Sequence, residues 1–290
     1  MAKLSVAAKS LAIKFIPPRG RQIARNFMWN VLGMQQGKPK TLDITAARHV
    51  QQAPLASLRD PAFIRDELLP RVGLNDEGFE QIPPELYEHC GKGLRCWQYP
   101  IQFSEYLVLL GRLGVRSYLE IGIRHGGTFI LTVEYLRRLH PVTTAIAIDL
   151  GEWPSYADYR VINPTAEFYQ MNSQSEEFQR LVHERAPFDA ALIDGDHSEE
   201  GCWQDFMLLK DKASVLAFHD IVSDAVPGVP AVWRRVKSEH REQYRFFEFT
   251  AQYETVRART GKQFLGIGVA VARNRIADLG DLGYSPESAS

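Results

Sequence analysis

Two short stretches hold most of the side chains that could do chemistry: Asp194-Gly195-Asp196-His197, after the apolar run 188–193, and His219-Asp220, at the end of the run 214–218. If the two runs are neighbouring strands, these groups meet at one edge. Converging acids repel unless a cation or donor lies between them, so the pairing suggests a hard divalent ion with oxygen ligands, such as magnesium. His219 complicates that reading. A neutral imidazole favours softer ions, so either manganese takes magnesium's place, or His219 is no ligand, or the site holds no metal. His197, three residues beyond Asp194, titrates near working pH and is a candidate general base. Its plain alternative is a surface residue capping a helix that starts near Ser198. Asp196 either orients His197 or caps that helix.

A second constellation is Glu120-Ile121-Gly122-Ile123-Arg124-His125-Gly126-Gly127-Thr128, where an apolar run passes through glycines into a helical pattern. Backbone that bends sharply and approaches a ligand closely needs glycine there. The spacing is not Gly-x-Gly-x-x-Gly, which argues against a dinucleotide pyrophosphate clamp. Asp149 closes the next apolar run, and Asn172 with Ser173 follow a less regular one. The plain alternatives are a strand-to-helix turn for the glycines and a helix cap for Asp149.

The elements that must position these residues alternate between short apolar runs and helical stretches. Strands are expected at 117–121, 144–149, 169–172, 188–194, 214–219, 245–249 and 266–272, with helices at 103–113, 128–139, 175–185, 203–209 and 229–239. That order is the mark of an α/β fold, a Rossmann-like doubly wound sheet of seven strands with the last pair partly antiparallel, whose ligands sit at the carboxyl ends of its strands. Residues 96–275 form this domain. Residues 1–95, broken by Pro17, Pro18, Pro39, Pro54, Pro61, Pro70, Pro83 and Pro84, form a mainly helical cap or oligomerisation region, and 276–290 a tail.

The motif Glu-x-Gly-x-x-x-Gly at Glu120, Gly122 and Gly126 resembles the first motif of class I S-adenosylmethionine-dependent methyltransferases. The resemblance implies that Glu120, Gly122, Gly126, Gly127 and Thr128 hold the methionine end of that cofactor, that Asp149 accepts from both ribose hydroxyls, and that Asn172 flanks the adenine. Asp194 then lies in the same crevice. The set Ile-Asp-Gly-Asp-His followed by Phe-His-Asp resembles the metal-dependent O-methyltransferases, including macrolide-sugar enzymes and a bacterial family allied to cephalosporin hydroxylase. It implies Asp194, His219 and Asp220 as metal ligands, although His219 departs from the usual acid or amide, and His197 as the base that deprotonates a hydroxyl acceptor on a sugar or other small natural product. The resemblance covers roughly residues 98–272. An N-methyltransferase without metal, and a non-catalytic cofactor-binding subunit, are the competing readings. Gln98-Tyr99-Pro100-Ile101-Gln102 is expected near cofactor or acceptor, and Trp203 in the core.

The chain has 290 residues, 45% of them hydrophobic and 24% charged, and three cysteines, Cys90, Cys96 and Cys202. That suits a soluble protein with a sizeable core and no disulfide framework, and a reducing cytoplasm is the expected setting. No apolar run approaches the ~18 residues of a membrane span. The formal net charge of -1 hides an asymmetry, since Met1–Leu42 carries eight Lys/Arg and no acid. An anionic or membrane surface, a transit segment, or packing on the domain or a second copy of the chain would each account for it. Nucleic acid is not expected, because the bases are few and no recognition motif accompanies them.

Overall fold

The apolar runs become seven strands: β1 Ser117–Ile121, β2 Thr144–Asp149, β3 Ala166–Gln170, β4 Phe188–Ile193, β5 Ala213–His219, β6 Tyr244–Phe249 and β7 Ile267–Ala272. In this computed structural model they form one sheet in the order β3-β2-β1-β4-β5-β7-β6. The first five pair in parallel, while β7 runs antiparallel to both β5 and β6. The structure describes residues 38–276. The basic segment, up to residue 37, and the tail beyond Ile276 lie outside the described residues.

Both faces of the sheet are covered, which is why β2 and β4 read as continuous apolar runs rather than alternating ones. One layer contains the helices α1 Pro100–Arg112, α2 Gly127–Leu139 and α3 Tyr156–Ile162. The other contains α4 Glu176–Arg185, α5 Glu199–Leu209 and α6 Gly228–Glu239. A short helix α7, Glu254–Thr260, connects β6 to β7. Side chains alternate along β1, so Leu119 and Ile121 join the α4–α6 layer while Tyr118 joins the α1–α3 layer. By the same period Glu120 points toward α1 and α2.

Residues 42–74 pack into the α1–α3 layer. Val50, Leu58, Ile64 and Leu69 are completely buried in the same apolar cluster as Phe103 and Phe129, each such side chain contributing about 1.5–3 kcal/mol. The segment Pro61–Phe63, Ile64–Leu68 and Leu69–Val72 runs as one helix whose middle widens to π geometry. Pro70 has no N–H to offer the normal ladder there.

Several boundaries differ from the sequence reading. β3 begins at Ala166 rather than Tyr169, because pairing with Ala145–Asp149 of β2 sets its register. α5 starts at Glu199, where the Ser198 hydroxyl accepts from Gly201 N at 3.0 Å and two acids occupy the first turn, both favourable at a helix N-terminus. α1 starts at Pro100, a residue suited to the first helical position. α3 and α7 were not expected. Each buries a single residue, Tyr159 and Val256, too little for a periodic pattern. Among the described residues no helix is long and apolar enough to cross a membrane.

Candidate active site

The carboxyl ends of β1, β2, β4 and β5 carry the residues singled out in the sequence. After β1 the chain turns through Gly122 at φ 84° and Gly126 at φ 90°. A Cβ at Gly122 would strike the Asp194 carbonyl, and one at Gly126 would strike the Trp153 indole, so both positions combine a left-handed backbone with close contact. Gly127 lies against the Leu94 carbonyl and opens α2, with Thr128 buried in its first turn.

Asp149 holds this loop. Its Oδ2 accepts from Ile123 N and Arg124 N, both at 2.9 Å, and its Oδ1 accepts from Gly151 N at 2.7 Å. Residues earlier in the chain hold the loop as well. The Arg124 guanidinium donates to Glu77 at 2.8 and 3.1 Å, and Lys40 N donates to His125 Nδ1 at 3.0 Å. Lys40 and Arg95 both bind Asp76, at 2.7 and 2.6 Å. Glu120 is fully buried. Tyr118 donates to its Oε2 at 2.7 Å, and its Oε1 has no partner. Burial pushes the carboxyl up to about 8, with the charges of Asp194 and Asp149 adding to the effect and the Tyr118 hydrogen bond and His219 opposing it.

At the ends of β4 and β5, one ligand atom from each of Asp194, His197, His219 and Asp220 lies within 4.8 Å of the others. His197 Nε2 is 3.2 Å from Asp194 Oδ1 and 3.1 Å from Asp220 Oδ2. His219 Nδ1 is 2.8 Å from Asp194 Oδ1, yet it is not aligned as a hydrogen bond, and both His219 ring nitrogens and Asp220 Oδ1 are buried without a hydrogen-bond partner. Asp220 adopts φ 63°, a conformation that aspartate tolerates better than most residues. Burial opposes charge on His197, but its bonds to Asp194 and Asp220 outweigh this and hold its pKa well above the usual value. His219 is raised in the same way by the two carboxylates. Burial works against the Asp194 charge too, but the two imidazoles bring its carboxyl down to about 2.

Two imidazole nitrogens and two carboxylate oxygens so close together fit a divalent cation, and the mixed nitrogen and oxygen set suits manganese better than magnesium. Without one, the His197 imidazole, held between Asp194 and Asp220, offsets their charge.

Other expected residues stand apart. Asn172 is exposed at the end of β3, and its Oδ1 accepts from Gln174 N at 2.9 Å, closing a local turn. Asp196 does not contact His197 through a hydrogen bond. Its Oδ1 accepts from Ser198 N at 2.9 Å and its Oδ2 from Gln174 Nε2 at 3.2 Å, while Ser198 rather than His197 caps α5. Trp203 is half-buried on Phe206 beneath the Arg235 guanidinium, which lies 3.5 Å from its ring centre. Gln102 is structural, bonding Ala251 O at 2.7 Å and Gly266 N at 2.9 Å.

Sequence reasoning missed Trp153, the Lys40–Asp76–Glu77–Arg95 network and Asp205. The last is a buried α5 carboxyl whose pKa burial raises to about 7 against the opposing influence of Ser173. Only the run Leu150-Gly151-Glu152-Trp153 directly after Asp149 offered a local signal. The others come together through long-range packing.

A doubly wound sheet with its polar residues gathered at the carboxyl edge defines a class of ligand-binding α/β proteins. Residues 119–221, from β1 past β5, match the model of a family described as a methyltransferase domain. No curated protein matches the chain. Among solved structures, an O-methyltransferase from Bacillus cereus in complex with SAH is 14% identical, with a TM-score of 0.45 over 79% of this chain and 96% of that one. The O-methyltransferase TomG from Streptomyces achromogenes, involved in tomaymycin synthesis and in complex with SAM, is 15% identical, with a TM-score of 0.44 over 76% of this chain and 91% of that one.

Proposed function

We propose that this chain uses S-adenosylmethionine to methylate a hydroxyl on a sugar or other small natural product, with a divalent ion at Asp194, His219 and Asp220 and with His197 as general base. The observation that carries the reading is the four-residue cluster at the ends of β4 and β5, within the segment that matches the methyltransferase-domain model and includes the glycine loop. Glu120 Oε1, buried and unpartnered, suits the cofactor's ammonium group, and Asp149, at the end of β2, suits the ribose hydroxyls.

The cofactor supplies a methyl group activated on a sulfonium centre. His197 Nε2 takes the proton as the acceptor's O–H bond breaks, the oxygen forms its bond to the methyl carbon, and the carbon–sulfur bond breaks to leave a neutral thioether. A divalent ion, when bound, would lower the pKa of the acceptor hydroxyl. In the resting cluster His197 is held protonated between Asp194 and Asp220. It becomes a base once those carboxylates are engaged by another cation and lose their hold on its proton.

The test is titration calorimetry of S-adenosylmethionine against the wild type and Asp149→Ala, with and without manganese. Binding in about the micromolar range, lost in Asp149→Ala, supports the cofactor reading, and absence of binding under every metal condition defeats it.

A further inference from the structure

We propose that the cleft between residues 74–100 and Leu265 is the acceptor subsite, and that Gln98 selects a neutral acceptor by hydrogen-bonding its hydroxyl or carbonyl group. The inference rests on the methyl-transfer reading above and names the substrate class for it. Gln98 is only 5% exposed, and neither Oε1 nor Nε2 has a hydrogen-bond partner. Asn75, 4% exposed on the same cleft, spends its Nδ2 on Glu77 O at 2.8 Å and leaves Oδ1 unpartnered. A buried polar atom with no partner has given up its bonds to water without replacement, and two amides lining one cleft present such atoms together.

The walls are apolar, formed by Leu74, Ile82, Trp97 and Leu265 among others, and no Lys, Arg, His, Asp or Glu is present among the described lining residues. A charged group would lose its hydration there without gaining a counter-ion, whereas a hydroxyl or carbonyl on an apolar frame would meet both the amides and the walls. The cleft holds about 30 Å³, room for a substituent of that size, with the rest of the molecule in its open mouth. Leu265 on its wall is bonded to the segment that leaves β5 beside the cluster. Leu265 O and Gly266 O accept from Val222 N and Ile221 N, both at 3.2 Å, and these residues directly follow Asp220.

The experiment is saturation-transfer NMR with phenyl β-glucopyranoside as the neutral probe and phenyl β-glucuronide as its anionic counterpart, on the wild type and Gln98→Leu. Cofactor binding to both proteins is measured in parallel by calorimetry. The expected result is binding of the neutral glycoside to the wild type, weaker binding of the glucuronide, and a loss of roughly tenfold or more in glycoside affinity in Gln98→Leu. Cofactor affinity and melting temperature should not fall, since leucine removes an unsatisfied amide. Equal binding of the two probes, binding of neither, or glycoside affinity indifferent to Gln98→Leu, as expected if the amide merely holds a water, overturns the proposal. A lower melting temperature in Gln98→Leu overturns it also, because it marks the amide as structural. Gln98→Met, which keeps the side-chain length, should lose glycoside affinity to the same degree without losing stability. Loss of cofactor binding in the wild type itself defeats the methyl-transfer reading and is recorded independently of the glycoside data.

Discussion

Replacing Glu120 with glutamine isolates the cost of setting an acid into the apolar layer between β1 and the helices α1 and α2. The carboxyl is fully buried with one oxygen bonded to Tyr118 and the other unpartnered, and burial moves its pKa from the ordinary 4.5 to about 8. A pKa higher in the folded state means that the native chain keeps a proton which the unfolded chain releases. The stabilisation from that proton is complete below 4.5 and is lost as the pH rises through about 8. At about 1.4 kcal/mol per pH unit, the full span is about 5 kcal/mol, and roughly 3 kcal/mol of it lies between about pH 5 and about pH 7.5. Glutamine keeps the shape and cannot ionise. Urea unfolding of both proteins across this range, without ligand, should therefore show the stability of Glu120→Gln relative to the wild type rising with pH by roughly that amount. A difference that stays flat would refute the reasoning, since it would mean that the carboxyl is already ionised and compensated at neutral pH.

Asp205 obeys the same sign. Its carboxyl is raised from 3.8 to about 7 by burial, so Asp205→Asn should gain stability against the wild type as the pH rises through that window, measured by the same unfolding curves. Gly126→Ala sets a methyl against the Trp153 indole at a left-handed position and should cost about 1–3 kcal/mol, visible as a fall in melting temperature. His197→Ala should reduce turnover by about 10²- to 10⁴-fold while cofactor affinity measured by calorimetry stays within a few-fold. Asp194→Asn should abolish stimulation by manganese in the same turnover assay. Unchanged stimulation would remove the metal from the mechanism.

The parallel part of the sheet was legible because β2 is apolar throughout Ala145–Ile148 and β4 is broken only at Asp189, and a run buried on both faces looks the same from either side. The cluster was legible for a related reason, since Asp194 and His219 sit on the last turns of two such runs and adjacent parallel strands end together. β3 was read late because Ala166-Glu167-Phe168-Tyr169-Gln170, at the sheet edge, is half solvated and has no continuous apolar signature. Asp196 could not be resolved, because a carboxylate one residue before His197 and two before Ser198 satisfies either role on paper, and only the placed backbone shows Ser198 N taking its oxygen. The partners of Arg124 and His125 lie in Glu77 and Lys40, far away in sequence, and no local pattern announces a contact of that span.

The grip of Asp149 on Ile123 N and Arg124 N bears on the speed and thermodynamics of recognition. A loop tied by two backbone bonds to the neighbouring strand, and by Arg124 to Glu77, has lost its conformational freedom during folding. An arriving ligand then meets a surface already in shape, so little ordering entropy opposes association. Binding should proceed in a single bimolecular phase whose rate rises linearly with ligand concentration, without the plateau that a slow loop closure would impose.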